Sequence, residues 1–435
     1  MPKAYWGYII MIAFIPDNLK SDVLAMIERF SFIDGEIEDV PFSDIVTENC
    51  EFEATITKDS IVCLYIGEDN FPKTTLNYLL VLCDEWDKTE INQAQNYAKS
   101  STEIDFLLGM LDYHTTMLLE NLEKTSTPII NCNDEGLFFW KTEVKTENGI
   151  YSVCLFSGFC LYHLKVQESG NYDKYLPAYS EDDYFIRVSC ESNIDISIAD
   201  SLAVALVFEL QATHNILLDF STGRPDPDYY HDVEELSKHR YDIFPILYGR
   251  GIKNVLELYN TAKNTYNLDF KILSYTKVIE YIAPTIAKSE LNDTILLKLK
   301  LPQALNPTAE YVDELSRIYE KYQDDTSKDS ELIKLAVSKV VTIPDIWENT
   351  PKYLRPKKRE TVDSLLDNEA DEMIEHICKA ISDTRNEIAH AKANYQKKGN
   401  ECPHREKPLF AYMLDTIAVQ CIRWFALQPC EKRMI

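Results

Sequence analysis

The chain has 435 residues, of which 45% are hydrophobic and 11% aromatic, and it carries a formal net charge of −27. This composition is typical of a globular protein of two or three domains and leaves little room for disorder. Only 12 residues are glycine, and neither G-x-G-x-x-G nor G-x-x-x-x-G-K-[ST] is present, which argues against a Rossmann or P-loop enzyme. No uninterrupted apolar run approaches the roughly 20 residues of a membrane-spanning helix, so we expect no membrane association.

The eleven cysteines are scattered and odd in number, which predicts free thiols in a reducing compartment, with the cytoplasm as the expected location. Cys378, Cys402 and His404 come nearest to a metal-ligand group, but no second close pair with zinc-finger spacing accompanies them. Cys378 also falls at an apolar helical position. We therefore interpret these cysteines as buried thiols and expect neither a metal nor a cofactor.

Charge is unevenly divided along the chain. Residues 1–250 contain 17 Lys and Arg against 43 Asp and Glu, whereas residues 251–435 contain 27 against 28. A strongly acidic surface repels nucleic acid, so any RNA chemistry is expected in the second half. The acidic half either regulates the second half or only keeps the protein soluble, and the sequence leaves both interpretations open.

Residues 1–245 are predicted to be a mixed α/β region, and a division into two lobes near residue 126 is left open. The apolar segment at 1–18 indicates a buried strand rather than a signal peptide, because it ends without a small-residue cleavage site. Strand patterns occupy Glu51–Ile56, Ser60–Ile66, Tyr151–Phe156 and Asn193–Ile198. Helical patterns occupy 19–30, 103–124 and 199–213. The charged, proline-containing stretch Ser221–Asp242 is the predicted linker.

Residues 246–435 are predicted to be an all-α bundle, which makes the whole chain an α+β protein. Helical patterns occupy 252–264, 269–288, 309–323, 330–341, 361–393 and 408–427. The last begins with Pro408, a residue type favoured at the first helical position.

The stretch ISDTRNEIAHAKANY, at 381–395, carries polar groups within an apolar helical pattern. An isoleucine stripe places it on a helix or at the start of one. Thr384 and Glu387 also fit the capping box S/T-x-x-E, which predicts that a helix restarts at Thr384. In that case Arg385 lies at the first helical position, where free backbone N–H groups favour phosphate. Asn386 and His390 are four residues apart and share a face.

The sequence Arg385-Asn-Glu-Ile-Ala-His390, together with the earlier helical pattern Asp269–Ile282, resembles the HEPN superfamily. Ribonucleases of that superfamily carry R-x4–6-H with a polar residue, often Asn, after the arginine. The sequence of these two segments is most similar to the Apea-like HEPN branch of bacterial anti-phage proteins, and the resemblance covers roughly residues 250–430. The long insertion between the two helices departs from the small HEPN toxins.

The resemblance implies a metal-independent endoribonuclease with RNA as its substrate, acting in anti-phage defence by abortive infection. It also implies a homodimer or higher homo-oligomer in which an Arg and a His from each HEPN domain face one another. A phage-derived trigger is then expected to act at the acidic amino-terminal half. The alternative is a non-catalytic HEPN-like scaffold or binding protein that dimerises through the helical domain.

The residue types suit RNA cleavage by the ribose 2′-OH. A histidine near its ordinary pKa of about 6.5 exchanges protons at neutral pH, so His390 is the candidate general acid or base. Arg385 offers fixed donors to the charge that develops on phosphorus oxygens, and Asn386 is expected to orient the histidine or the RNA. Glu280 is flanked by apolar residues and needs a partner if it is buried. It either pairs with Arg385 or is an ordinary exposed glutamate.

Two basic clusters flank this stretch, and each is either an RNA-binding surface or a solvated loop. Tyr353 and Tyr395 add stacking surfaces of the kind that single-stranded RNA uses. The candidate RNA-binding residues are Lys357, Lys358, Arg359, Lys397, Lys398 and Arg405. A small-molecule hydrolase has little support, because the chain contains neither G-x-S-x-G nor H-E-x-x-H.

Overall fold

The computed structural model describes residues 56–57, 60–62, 73–75, 90–92, 97–110, 137–157, 160, 162, 183–220, 245–356, 359, 361–389 and 398–434. The chain divides into two compact units, Met1–Ile246 and Leu247–Ile435, called here the amino-terminal unit and the helical unit. Antiparallel sheet dominates the described part of the first unit and helices dominate the second, so the predicted α+β class is confirmed.

The described strands of the amino-terminal unit form two antiparallel sheets. The smaller sheet has the order β1-β2-β3, with β1 at Ile56–Thr57, β2 at Ser60–Val62 and β3 at Lys73–Thr75. The larger has the order β4-β5-β6-β9-β8-β7, and β10 pairs with β6. Its strands are β4 (Glu90–Asn92), β5 (Tyr97–Lys99), β6 (Glu103–Met110), β7 (Leu137–Thr146), β8 (Gly149–Ser157), β9 (Tyr184–Cys190) and β10 (Leu218–Asp219).

The centre of the larger sheet is buried on both faces. Helix α1 (Ile196–His214) packs against β6, β8, β9 and β10, and it is lined by buried apolar residues along most of its length. Leu107, Cys154, Phe156 and Phe185 belong to a buried apolar cluster. Covering both faces explains why the central strands are almost continuously apolar rather than alternating.

Two sequence predictions in this unit are wrong. The helix predicted at 103–124 begins instead as β6, because a fully buried strand has an apolar run that periodicity alone does not distinguish from a helix. The strand predicted at Asn193–Ile198 is the start of α1. The Asp195 side chain accepts a 2.8 Å hydrogen bond from the Ser197 backbone N–H and so caps the helix.

The other predictions for this unit are either confirmed, in whole or in part, or lie outside the described residues. The strand at Tyr151–Phe156 and the helix at 199–213 are confirmed within β8 and α1. Ile56 is described in β1, and Ser60–Val62, the described part of the next predicted strand, is β2. The remaining predictions lie outside the described residues: the segment at 1–18, the helix at 19–30, positions 111–124, the division near 126 and the linker Ser221–Asp242.

A buried ion pair crosses from β6 to β9 in the larger sheet. Arg187 and Asp105 are register partners, and the guanidinium meets the carboxylate through two hydrogen bonds, Nε to Oδ1 at 2.7 Å and Nη2 to Oδ2 at 2.9 Å. The Arg187 guanidinium also lies 4.6 Å from the centre of the Phe156 ring. The pair gives each of these buried charges a close counter-charge, and Glu103 adds a longer contact to Arg187 at 3.7 Å.

The helical unit contains the remaining described α-helices. They are α2 (Ile252–Asn264), α3 (Leu268–Leu299), α4 (Ala309–Thr326), α5 (Asp329–Val340), α6 (Ile343–Ile346), α7 (Asp367–Ala389) and α8 (Lys407–Leu427). The predicted helix at 252–264 is confirmed at both ends. Helix α3 continues eleven residues beyond its predicted end at 288. Helix α7 begins at Asp367 rather than at 361, because Val362–Ser364 forms a separate 3-10 turn.

Helix α3 is the central element of the helical unit. It packs against α2, α4, α5, α7 and α8, and its buried stripe includes Ile272, Val278, Ile282 and Ile286. Pro284 lies inside it. Proline has no N–H, so this position cannot donate to the carbonyl of Glu280 four residues earlier.

Two segments, Ile196–His214 and His404–Leu427, are long and apolar enough to cross a membrane by length and composition alone. Of their most apolar windows, 67% and 50% respectively are buried within the fold. Both helices pack as core elements of their own units.

We predict that Asp105→Ala lowers the free energy of unfolding of the amino-terminal unit by about 3 kcal/mol, because it removes the closest counter-charge of the buried Arg187 and leaves the longer, 3.7 Å contact with Glu103. Calorimetry of the full chain measures the change. Glu143→Ala, at an exposed position of β7, is the matched control, and Arg187→Met combined with Asp105→Leu should recover most of the loss. An Asp105→Ala transition that coincides with that of the wild type would show that the pair is dispensable.

Candidate active site on the helical unit

The polar stretch singled out in the sequence lies near the end of α7. The predicted helix restart at Thr384 is wrong, because α7 is continuous through this residue. Thr384 is fully buried, and its Oγ1 accepts a 2.8 Å hydrogen bond from the Cys402 backbone N–H. Burial of the isoleucine stripe favours an unbroken helix over a new cap. Arg385 therefore does not lie at a helix N-terminus, and free backbone N–H groups do not contribute to a phosphate site there.

The segment that follows the undescribed residues 390–397 is tied to the same helix. Asp383 is buried and accepts hydrogen bonds from Lys398 Nζ at 2.8 Å and from Asn400 Nδ2 at 2.9 Å. Glu401 accepts from the backbone N–H groups of Lys398 and Gly399 at 2.6 and 2.8 Å. Gly399 has a φ of 93°, which favours glycine. These contacts fix the position of Lys398 beside α7.

Arg385 is held by polar partners from three helices. Its Nε lies 3.2 Å from Oε1 of Glu280 on α3, and its Nη2 lies 3.6 Å from Oδ2 of Asp329 on α5. Its Nη1 donates a 3.0 Å hydrogen bond to Oδ1 of Asn386. Of the two alternatives that the sequence left open for Glu280, the contact with Arg385 is the one observed. Because Oε1 of Glu280 accepts no well-directed hydrogen bond from the described residues, this contact is an ion pair.

Two opposing effects act on the pKa of Glu280. Burial raises the pKa of its carboxyl group, and the neighbouring Arg385 charge lowers it. Burial is the larger effect. Glu280 is therefore a carboxylate whose ionised form depends on Arg385 for compensation.

Two clefts meet at Arg385. The first, called here the acidic cleft, has a volume of about 230 Å³ and is lined by residues that include Glu280, Asp329, Asp383, Arg385, Asn386 and Lys398. The second, the aromatic cleft, has a volume of about 420 Å³ and is lined by residues that include Leu258, Phe270, Leu273, Lys277, Arg385 and Ala389. Arg385 is the residue common to both linings.

The acidic cleft contains more carboxylates than cations. Its three carboxylates engage both of its cations, since Lys398 is paired with Asp383 and Arg385 with Glu280 and Asp329. The Ser382 hydroxyl also lines it and is buried without a hydrogen-bond partner among the described residues. An anion entering this cleft competes with carboxylates for every cation in its lining.

The other predicted site residues have mixed outcomes. Arg359 is half-buried and its Nε donates a 2.8 Å hydrogen bond to Glu369, so its charge is engaged within the fold. Arg405 is exposed in the 3-10 turn His404–Glu406. Neither residue lines the acidic or the aromatic cleft. Five predicted residues lie outside the described residues, namely Lys357, Lys358, His390, Tyr395 and Lys397.

Sequence reasoning missed several residues of the two clefts. Asp329 and Asp383 reach the site by tertiary packing, and no local pattern marks them. Phe270 and Lys277 had a weak signal, because their spacing of seven places them on one face of α3. That face was interpreted only as part of an amphipathic helix.

The cysteines near the site are buried thiols, as predicted. Burial raises the pKa of Cys378 to about 12 and that of Cys402 to about 11. Both therefore carry a proton at neutral pH. Within the part of the chain that the structure describes, no three His, Cys, Asp or Glu side chains are grouped to hold a metal ion.

We predict that Thr384→Val lowers the free energy of unfolding of the helical unit by about 1–3 kcal/mol, because the buried Cys402 N–H loses its acceptor. Hydrogen exchange of the Cys402 amide, combined with urea unfolding, measures the effect. Thr384→Ser keeps the hydroxyl and is the matched control. Unchanged amide protection in Thr384→Val would contradict the proposed anchoring role.

Comparison with known proteins adds no further constraint: no family model, curated protein or solved structure matches the chain. The residues and geometry of the helical unit are therefore the grounds on which its function is inferred.

Proposed function

We propose that the helical unit is a metal-independent endoribonuclease of the HEPN type that cleaves RNA by attack of the 2′-OH. One observation carries the proposal: Arg385 is fixed by Glu280 and Asn386 at the junction of two clefts. Ala389, one turn further along α7, lines the aromatic cleft with it, and His390 is the next residue in the sequence.

The proposed chemistry assigns one task to each residue. His390 of one subunit takes the proton from the 2′-OH, whose oxygen attacks phosphorus. A second histidine, from the partner subunit, gives a proton to the departing 5′-oxygen, so that a cyclic phosphate and a free hydroxyl are produced. Arg385 donates to the phosphoryl oxygens as their negative charge grows. Asn386 positions Arg385 through its side-chain oxygen.

The two ion pairs of Arg385 differ in length and exposure, and this difference allows a phosphate to replace one of them. The contact with Asp329 is long, at 3.6 Å, and the Asp329 side chain is 69% exposed. An exposed pair of this kind contributes at most about 1 kcal/mol, so an RNA phosphate can replace it. The Glu280 side chain is only 22% exposed and contacts Nε, and Asn386 holds Nη1. Replacing the Asp329 contact therefore turns Nη2 toward substrate while the other two contacts keep the guanidinium in place. Glu280 is then a positioning residue for Arg385.

The proposal extends to the whole chain. The acidic amino-terminal unit is assigned the role of sensing a phage-derived trigger, and the helical unit the role of effector in abortive infection in the cytoplasm. Its strong negative charge makes the amino-terminal unit a poor surface for RNA, which supports the placement of the RNA chemistry in the helical unit.

A non-catalytic scaffold is the second candidate function, and a specific observation favours it. Both cations of the acidic cleft, Arg385 and Lys398, are already engaged by carboxylates. Such pairing is what a purely structural polar network requires. Under this alternative the helical unit serves dimerisation or binding, and the residues around Arg385 stabilise α7 against α3 and α5.

We predict that Arg385→Ala and His390→Ala each lower the rate of RNA cleavage by about 10²- to 10⁴-fold, because each removes a group that acts on the reacting phosphate. The assay follows a labelled RNA with the full-length protein. Lys379→Ala is the matched control, since Lys379 is an exposed cation on α7 that pairs with Glu375 along the helix and lines neither cleft. Wild-type rates in both site variants, or no cleavage by the wild type, would favour the scaffold.

We also predict that the active protein is at least a dimer through its helical unit, because acid and base must act on opposite sides of the phosphate. An isologous interface places the same surface of both copies together. Light scattering at the protein concentration of the cleavage assay measures the mass. A monomer that cleaves RNA at the wild-type rate would contradict the shared site.

A further inference from the structure

The aromatic cleft is a defined space between α2, α3 and α7 that no step of the proposed chemistry uses. Its volume of about 420 Å³ lies within the usual range of pockets for small molecules. Leu258 on α2 and Leu273 on α3 give it apolar walls, and Arg385 closes one side. It therefore combines apolar surface with a cation that the chemistry needs.

Phe270 presents an aromatic surface to this cleft. It lies in the first turn of α3 and is 48% exposed, so its ring is accessible to a ligand in the cleft. Its backbone N–H donates a 3.0 Å hydrogen bond to the Asn267 side chain, which caps the helix and fixes the position of the ring's attachment. A half-exposed ring on a capped helical turn is a suitable platform for stacking a planar base.

Lys277 supplies a second positive charge to the cleft. It follows Phe270 by seven residues, so the two lie on the same face of α3, about 10 Å apart along its axis. Lys277 is exposed and forms no ion pair with any described carboxylate. This distinguishes it from Lys398 in the acidic cleft, whose charge is taken by Asp383.

The carboxylate nearest to Phe270 in sequence already forms an ion pair. Asp269 pairs with Lys407 at 2.6 Å, so it does not oppose an approaching phosphate. The acidic cleft, on the other side of Arg385, contains Glu280, Asp329 and Asp383. Charge therefore favours an anionic ligand reaching Arg385 from the aromatic side.

We propose that the aromatic cleft binds one nucleotide of single-stranded RNA, with the base stacked on Phe270 and a phosphate contacted by Lys277 and Arg385. This inference rests on the proposed function and adds the route by which substrate reaches the site. Single strands are the chemical class that fits, because a base must leave its stack to lie against a protein ring.

The test is binding of a fluorescent 2′-O-methyl RNA octanucleotide, which has no free 2′-OH and is not cleaved by the proposed reaction. Full-length wild type is compared with Phe270→Leu, which keeps an apolar side chain and removes the ring, and with Phe270→Trp, which keeps stacking. We expect Phe270→Leu to weaken binding about fivefold to 100-fold, and Phe270→Trp to retain it. Far-UV circular dichroism confirms that each variant is folded.

Lys277→Met tests the phosphate contact separately. We expect it to reduce the slope of log affinity against log salt by about 0.7, the value of one single-strand phosphate contact. Lys288→Met is the matched control, since Lys288 is an exposed lysine further along α3 and lines neither cleft. A merely structural role for Lys277 does not change this slope.

The outcomes separate this inference from the proposed function. If the wild type does not bind the RNA, or if Phe270→Leu and Lys277→Met bind like the wild type, the nucleotide subsite is wrong. If binding depends on both residues while natural RNA is not cleaved, the subsite stands and the ribonuclease proposal fails. If RNA is cleaved while both variants bind like the wild type, the ribonuclease proposal stands and the nucleotide subsite is wrong.

Discussion

The burial of α3 is the constraint on which the helical unit depends. Its apolar residues face α2, α4, α5, α7 and α8, and each fully buried Ile or Val contributes about 1.5–3 kcal/mol. Its buried residues lie between Ile272 and Ala287, and this part of the helix has little surface left for polar groups. Glu280, Lys277 and Phe270 lie where the packing opens toward α7, so the same packing that stabilises the unit also determines where its clefts are.

The success of the sequence predictions follows from how each element is buried. Helices with one buried face, such as α2, α4 and α5, have a clear 3.6-residue period and were predicted to within a few residues. Strand β6 is buried on both faces and has no period-two signal, so it was interpreted as a helix. The start of α1 alternates Ile with polar residues and was interpreted as a strand, although Asp195 is a good N-cap residue.

In the candidate site, too, sequence patterns indicated some contacts and missed those that depend on tertiary packing. The need of a buried glutamate for a cation made the Arg385–Glu280 contact one of two alternatives from the sequence, and this contact between α3 and α7 is the alternative observed. The capping box at Thr384 was misleading, because its hydroxyl accepts from Cys402 instead of capping a new helix. Asp329 and Asp383 reach Arg385 and Lys398 only through tertiary packing, which no spacing rule along the chain encodes.

Pro284 makes the turn that holds Glu280 the most compliant step of α3. Because the proline ring provides no N–H and presses against the carbonyl of residue 280, the helix is least resistant to bending between these two residues. A change in the bend of α3 at this step would move the Glu280 carboxylate and, through their ion pair, the Arg385 guanidinium.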